Sequence, residues 1–353
     1  MLNKVFNHPF FIRLLHWEYW PFHVVYGPLY PIWFWYCLKA RAVFFFNTSN
    51  PLIENGGFLM ESKKAIYDIM PKEYYPTTLF FEKNSIPQEV LAQIKLNEIH
   101  YPIIAKPNIG MQGMSVKRIK DDETLIAYIE QSKVDFLIQD YVSFEEEIGI
   151  FFCKIPGEDK GKITGIVGKE FLTVTGDGVS NIESLLSAEK RFKLQLPVLK
   201  KSFPDLMYEV PSLGEKKEIV PYGNHARGSK FIDISHQADE ALHDAINEMC
   251  NRLPEFYFGR IDLRYKDLDS LKQLKDFSII ELNGAGSEPT HIYDPKHSIF
   301  FAWKEIVRHW QYLSTISIMN HKRLNMPYMT FKEGKTMLKA NAAYVKEISG
   351  RGL

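Results

Sequence analysis

The 353-residue sequence predicts a mixed α/β (α+β) fold, and three observations predict it. Short apolar runs with a two-residue period, at 75–81, 101–106, 135–142, 258–264 and 277–283, read as strands. Stretches of helical period at 61–70, 88–99, 122–132 and 237–253 alternate with them. The composition, 45% hydrophobic and 24% charged, is that of a globular chain with a large core and room for two or three domains. Forty-three basic residues balance forty-three acidic ones. No overall field therefore draws the chain to nucleic acid, and a nucleic-acid partner is not expected. Cys37, Cys153 and Cys250 are odd in number and far apart in sequence. They fit neither a disulfide framework nor a cysteine zinc site, and read as core thiols of a reducing compartment. With no cleavable secretory signal in view, cytoplasmic residence is expected.

Residues 1–50 carry Trp17, Trp20, Trp33 and Trp35, with no Asp, Glu, Lys or Arg between Glu18 and Lys39. A spanning helix needs about 20 mostly apolar residues. Here Pro21, His23, Gly27, Pro28 and Pro31 interrupt the run, so two short helices are expected, over 9–19 and 29–40. Two readings stand side by side. Either the aromatics pack on the rest of the chain, or they make an in-plane or re-entrant membrane contact flanked by Lys39 and Arg41.

A helix over 61–70 ends before Pro71, a strand covers 75–81, and a second helix covers 88–99. Residues 101–116 then read as strand, loop, strand. Lys106 closes the first strand, and Gly110 and Gly113 let backbone N–H groups approach an anion, although glycines in a hairpin also serve only the turn. Helix 122–132 leads to strand 135–142, then 143–152, its hairpin partner 161–168, and a run from Lys169 that ends in the Gly176-Asp177-Gly178 turn and a helix near Ser180. Residues 188–215 are polar, Lys-rich and broken by prolines, and read as a surface excursion. The loop 221–230 carries His225 and Arg227. Helix 237–253 delivers the chain to strand 258–264, where Arg260 and Asp262 share a face, as Glu281 and Asn283 do in 277–283. Asp262, Glu281 and Asn283 are hard oxygen donors at two strand ends. They suit Mg²⁺, which takes a few protein oxygens and leaves its other positions to water and phosphate, or else form a polar face with a salt bridge. The tail after Ser317 reads as helical packing without chemistry.

In order and spacing these pieces resemble the ATP-grasp superfamily, in its branch of D-alanyl-D-alanine ligases, cyanophycin synthetases and related carboxylate-amine ligases, over roughly 61–310. The resemblance implies two α/β subdomains gripping ATP, at 61–137 and 138–317, preceded by the aromatic segment 1–60 and followed by a helical tail 318–353. It implies Lys63 and Lys106 on the phosphates with the glycine loop through Gly110 and Gly113 as a lid. Gln139, Asp140, Tyr141 and Val142 would lie against adenine, and Glu147 would take the ribose hydroxyls. Asp262, Glu281 and Asn283 would hold two Mg²⁺ ions, a role Mn²⁺ also suits, and Arg260 would steady the transferred phosphoryl. The activity implied is ATP-dependent amide formation between a small or lipid-like carboxylate and an amine, through an acyl phosphate. Substrate-contact candidates are His225, Arg227, Glu288 and His291, each of them also readable as a structural side chain. The alternatives are a kinase acting on a hydroxyl and a membrane-docked nucleotide-binding protein without ligase activity, and the setting expected is the cytoplasm, at the inner face of the membrane if the aromatic segment docks there. Two departures limit the carry-over. Gly284-Ala285-Gly286-Ser287-Glu288 stands where the family has a Pro-Gly turn, and the α/β domain that usually comes first is replaced by the aromatic segment.

Overall fold

A computed structural model describes residues 11, 14–110, 113–188, 192–220 and 230–349. After a 3-10 turn at Trp17–Tyr19 come helices α1 (Phe22–Tyr26) and α2 (Tyr30–Ala40). Pro21 directly precedes α1 and Pro31 lies in the first turn of α2, where a missing N–H costs nothing. The expected helix 29–40 is thus α2, while α1 is absent from the sequence expectation. Of the expected 9–19 helix, the described part is helical at Phe11, Leu14 and Leu15 and then gives way to the 3-10 turn.

Helix α3 (Lys63–Asp68) is capped by Ser62, whose hydroxyl accepts from the Ala65 N–H at 3.2 Å. It is followed by β1 (Thr78–Phe81), α4 (Pro87–Leu96), β2 (Ile103–Pro107), β3 (Lys117–Ile119), α5 (Asp122–Gln131) and β4 (Phe136–Asp140). The four strands form an antiparallel sheet in the order β1-β4-β2-β3. Ile103, Ala105, Phe136 and Ile138 on one face pack beneath α4 and α5 with Val90, Ile94, Leu125 and Ile129. By strand alternation Lys106, Leu137 and Gln139 look the other way, and Leu137 joins the core of the second sheet.

The second unit begins with β5 (Glu146–Cys153), β6 (Lys162–Glu170) and β7 (Leu172–Thr175), then α6 (Ile182–Ala188), α7 (Leu196–Ser202), β8 (Lys216–Val220) and β9 (Lys230–Asp233). Helix α8 (Glu240–Asn251), β10 (Phe258–Tyr265), α9 (Leu268–Leu271), β11 (Phe277–Asn283), α10 (Ile299–Leu324) and α11 (Phe331–Ser349) complete the chain. The main sheet runs β11-β10-β5-β6-β9, all antiparallel. Ile148, Ile150, Ile261, Leu263 and Leu282 cover one face with Leu242, Ile246 and Met249 of α8, and the opposite face carries the charges described below.

Three expectations change. Residues 188–215 are not a bare surface excursion. With the β7–β8 hairpin they close a small core of their own, in which Leu199 and Met207 meet Leu172, Val174, Ile182, Leu186 and Ile219. The apolar positions scattered among the lysines are what the polar composition conceals. A division between 137 and 138 would cut β4, whose hydrogen bonds hold it between β1 and β2, so the first unit extends through Asp140. A division at 317/318 would fall inside α10, which continues to Leu324.

The aromatic segment is built into the second unit. Trp17 stacks on Tyr293 at 5.5 Å and donates its indole N–H to the His297 carbonyl at 2.8 Å, and Trp33 meets Phe45 and Trp310 at 5.2 and 5.0 Å. The buried Asn50 amide donates to the carbonyls of Gly56 and Phe258 at 2.9 and 2.8 Å. Gly57 (φ +75°) lies so close to Gly284 that a Cβ on it would stand 2.6 Å from the Gly284 Cα. A turn with a side chain at either place could not fit there, which accounts for Gly284 where the resemblance expects proline. All three cysteines are buried free thiols, as expected. No helix among the described residues is long and apolar enough to cross a membrane.

Candidate active site

The antiparallel register of β10 and β11 pairs Arg260 with Asn283 and Asp262 with Glu281, so all four side chains rise from one face of the sheet. On the next strand Gly149 lies opposite Asp262, where a Cβ would come within 2.8 Å of the Asp262 Oδ1. Glycine here makes room for a buried charge cluster. Arg260 donates from Nε to both Asp262 oxygens at 3.1 Å and from Nη2 to Oδ2 at 2.9 Å. Lys169 Nζ reaches Asp262 Oδ1 at 3.0 Å and Glu147 Oε1 at 2.8 Å, and Arg264 Nε reaches Glu147 Oε2 at 3.3 Å. Asn283 donates its amide to Asp262 Oδ2 at 3.1 Å. Burial alone would raise the Asp262 carboxyl, but Arg260 and Lys169 outweigh it and hold its pKa below the ordinary carboxylate value.

A register shift beyond Asp262 places Ile280 as an extra residue in β11. Its carbonyl accepts from the Tyr67 hydroxyl at 2.9 Å and from Lys106 Nζ at 3.3 Å, which joins the two sheets. The buried Lys106 also donates to Tyr67 Oη at 2.9 Å and to Gln139 Oε1 at 2.8 Å, and Gln139 Nε2 donates to Thr78 Oγ1 at 2.7 Å. Burial, with Lys63 nearby, pulls the Lys106 ammonium down to about 7, against the opposing pull of Glu281. Lys63 Nζ binds Glu281 Oε1 at 2.8 Å, and a Cβ on Gly110 would stand 3.8 Å from the same Nζ. Desolvation works to raise the Glu281 carboxyl, yet Lys63, Arg260 and Lys106 hold it down at about 2.

The structure thus brings Lys63, Lys106, Gly110, Arg260, Asp262, Glu281 and Asn283 to one cleft between the sheets. Gly113 (φ +70°) turns the chain after Gly110, although residues 111 and 112 of this loop lie outside the described residues. The Gln139 side chain serves Lys106 rather than pointing away as a hinge residue. Asp140 ends β4, the Tyr141 ring lies under the Arg118 guanidinium at 4.4 Å, and the Val142 carbonyl accepts from Arg264 at 3.1 Å. Glu147 presents no free carboxylate, since it is 5% exposed with both oxygens in ion pairs. Glu145 and Glu146 are the exposed acids beside it.

Among the substrate-contact candidates, His225 and Arg227 lie outside the described residues. His291 does not face the cleft as a free side chain. It is buried against Gly165, with Nε2 3.3 Å from Glu305 Oε2 of α10. Glu288 lies at the end of the cleft. Its backbone carbonyl accepts from Arg260 Nη1 at 3.3 Å, and its carboxylate accepts from the Tyr26 hydroxyl and, at 3.4 Å, from Tyr293. Burial, reinforced by the Glu288 charge, raises both tyrosines well above their ordinary pKa, so both remain donors.

Sequence reasoning missed Lys169, Arg264, Tyr67, Tyr26 and Tyr293. Arg264 was within reach of it, because it continues the Arg260, Asp262 alternation by one more step. Lys169 follows from the same alternation once β6 is carried past Gly168. The tyrosines are set by tertiary contact.

Among the described residues Glu281 Oε2 and Asn283 Oδ1, two hard oxygens on this face, carry no hydrogen bond, whereas those of Asp262 are engaged by cations and an amide. Among the described residues no three or more His, Cys, Asp or Glu side chains gather into a metal-holding group. The donor set therefore suits a cation that keeps most of its positions for water and phosphate, which is the habit of Mg²⁺, and not one held in a protein cage.

No family model and no curated protein matches the chain. Among solved structures it is similar to a bifunctional glutathione synthetase from Pasteurella multocida, at 15% identity over 78% of this chain and 37% of that one, with a TM-score of 0.40. A D-alanine–D-alanine ligase from Bacillus anthracis matches at 15% identity over 74% of this chain and 67% of its own, TM-score 0.40. The VanG D-Ala:D-Ser ligase from Enterococcus faecalis matches at 12% over 72% and 61%, TM-score 0.42. The chain spans well under half the length of the glutathione synthetase.

Proposed function

We propose that this protein is an ATP-grasp, ADP-forming ligase that joins a carboxylate to an amine. The observation that carries the proposal is a meeting of side chains, Lys63 and Lys106 from the first unit with Arg260, Asp262, Glu281 and Asn283 from the second. Five basic side chains, Lys63, Lys106, Lys169, Arg260 and Arg264, gather here with five carboxylates, Glu61, Glu147, Asp262, Glu281 and Glu288. Lys63, Lys106 and Arg260 approach from both units and would turn together to a shared anion. A polyphosphate is such an anion, and charge-assisted hydrogen bonds to it are the strong kind.

In this reading Lys63 and Lys106 hold phosphate oxygens, and Arg260 faces the charge that develops on the transferred phosphoryl group. A substrate carboxylate oxygen attacks the γ-phosphorus as ADP leaves. The amine nitrogen then attacks the acyl carbon, and phosphate departs as the amine gives up its proton to solvent. Both partners of the first step are anions, so neutralisation and alignment are the protein's main tasks, and no side-chain nucleophile is required. Glu281 and Asn283 would hold magnesium, with Asp262 joining them once a phosphate draws off one of its cations. The ion would supply positive charge to neutralise the phosphates.

The test is a phosphate-release screen of the purified protein against carboxylate and amine libraries, with hydroxylamine added to trap acyl phosphate. Carboxylate-dependent hydroxamate is the expected result. ATP consumption driven by alcohols, with no hydroxamate, would replace the ligase with a kinase.

A further inference from the structure

We propose that the aromatic face of residues 14–43 docks flat on an anionic lipid surface, and this holds whether or not the ligase reading does. Helix α2 has two apolar sides. Tyr36, Cys37 and Ala40 are buried, while Tyr30, Pro31, Phe34, Trp35 and Leu38 recur at helical spacing on the side that faces solvent. Phe34 is 61%, Trp35 63% and Leu38 72% exposed. An ordinary surface helix turns its polar residues outward. Leu14, Leu15, Phe22 and Val24 in the preceding turns are exposed as well. So is Phe300 at the start of α10, which stands edge-on to Trp303, whose indole N–H donates to the Val25 carbonyl at 2.8 Å. Exposed apolar surface of this extent marks an interaction site.

Charge selects the occupant. The exposed basic residues of this stretch are His16, His23, Lys39 and Arg41, and its one acid, Glu18, is half-buried. A protein partner would call for a polar rim, whereas a face whose fully exposed charges are Lys39 and Arg41 matches anionic headgroups. Trp35 and Tyr30 suit the headgroup zone, where an apolar ring and a wet N–H or O–H are both satisfied. At 11 residues α2 spans only about 16 Å, roughly half the hydrocarbon thickness, so it would lie in the plane of the membrane. The docking face also touches the cleft. Phe22 stacks on Tyr26 at 4.2 Å, and Tyr26 donates to Glu288, which sets the Glu288 end of the site one helix away from the lipid.

The experiment is co-sedimentation of the full chain with vesicles of phosphatidylcholine containing phosphatidylglycerol, and with phosphatidylcholine alone, alongside tryptophan emission. Binding with a blue shift is expected on the anionic vesicles and weaker binding on the neutral ones. A combined Phe34→Ser, Trp35→Ser, Leu38→Ser variant changes only exposed positions, so its circular dichroism should match the parent. Its vesicle partitioning should fall by about tenfold or more. Lys39→Gln with Arg41→Asn should cost about fivefold per charge on anionic vesicles and nothing on neutral ones. Asparagine at 41 tolerates the left-handed φ of 55° found there. The proposal is overturned if the parent stays in the supernatant with anionic vesicles, or if the triple-serine variant binds as well as the parent. A dimer that the triple-serine variant splits, with no vesicle binding by the parent, would overturn it in favour of an interface between copies.

Discussion

At the phosphate end of the cleft most charged side chains stand on strands, Arg260, Asp262 and Arg264 alternating along one of them, whereas at the Glu288 end the decisive partner, Tyr26, comes from a helix 262 positions away. The first end is assembled from one face of the sheet formed by β5, β6, β10 and β11. The second is made by tertiary packing alone. The two ends should therefore respond differently to substitution, with the strand end dominating chemistry and the packed end dominating affinity for the acceptor.

The largest effect is expected from Glu281→Gln or Asn283→Ala. Each removes a charge or an oxygen donor at the rim of β11, so ADP formation should drop by about 10² to 10³ while the far-ultraviolet circular dichroism stays that of the parent. Near-normal turnover in either variant would remove these residues from the chemistry. Next is Glu147→Ala, which strands Lys169 and Arg264 in a buried site and should cost about 3 kcal/mol in urea unfolding. Glu146→Ala should leave stability unchanged and raise the KM for ATP, because an exposed acid beside the hinge has no fold to support. If the two variants exchange these behaviours, Glu147 is the nucleotide contact and the ion pairs are incidental.

A smaller effect follows from Lys106. Its ammonium sits at about 7 in the free protein, and a bound phosphate would raise it. Between pH 7 and that raised value the complex holds more proton than the free protein, so affinity should fall as pH rises, with a proton taken up on binding. Calorimetry in buffers of different ionisation enthalpy reads this directly, and proton release would contradict it. Smallest is Tyr26→Phe, which removes one hydrogen bond to Glu288 worth about 1 kcal/mol. It should shift the KM of the acceptor and leave the KM for ATP alone. An equal shift in both would mean that the two ends of the cleft are not separable.

This contrast also explains what could be read in the sequence. Alternation alone put Arg260 with Asp262 and Glu281 with Asn283 on one face. The strand-borne Lys169 and Arg264 obey the same rule and needed only its consistent extension. The ion pairs of Glu147 were out of reach because alternation gives a side chain's face and not its partners, and two cations from neighbouring strands claim both its oxygens. His291 stood out as a polar residue in a glycine-rich loop, yet Glu305 on α10 and the bare Gly165 draw it into the core. Residues 188–215 hid a small core behind lysines, because the apolar residues that build it lie on separate short elements with no shared period.

Lys63, Lys106 and Arg260 are proposed to hold a polyphosphate between the two units, and calorimetric titration with Mg-ATP, of the parent and of Lys106→Ala, tests this most directly. The account predicts saturable binding by the parent and a loss of about 1.5–3 kcal/mol, roughly ten- to a hundredfold, in the variant. No binding by the parent, or equal affinity in both proteins, would contradict it.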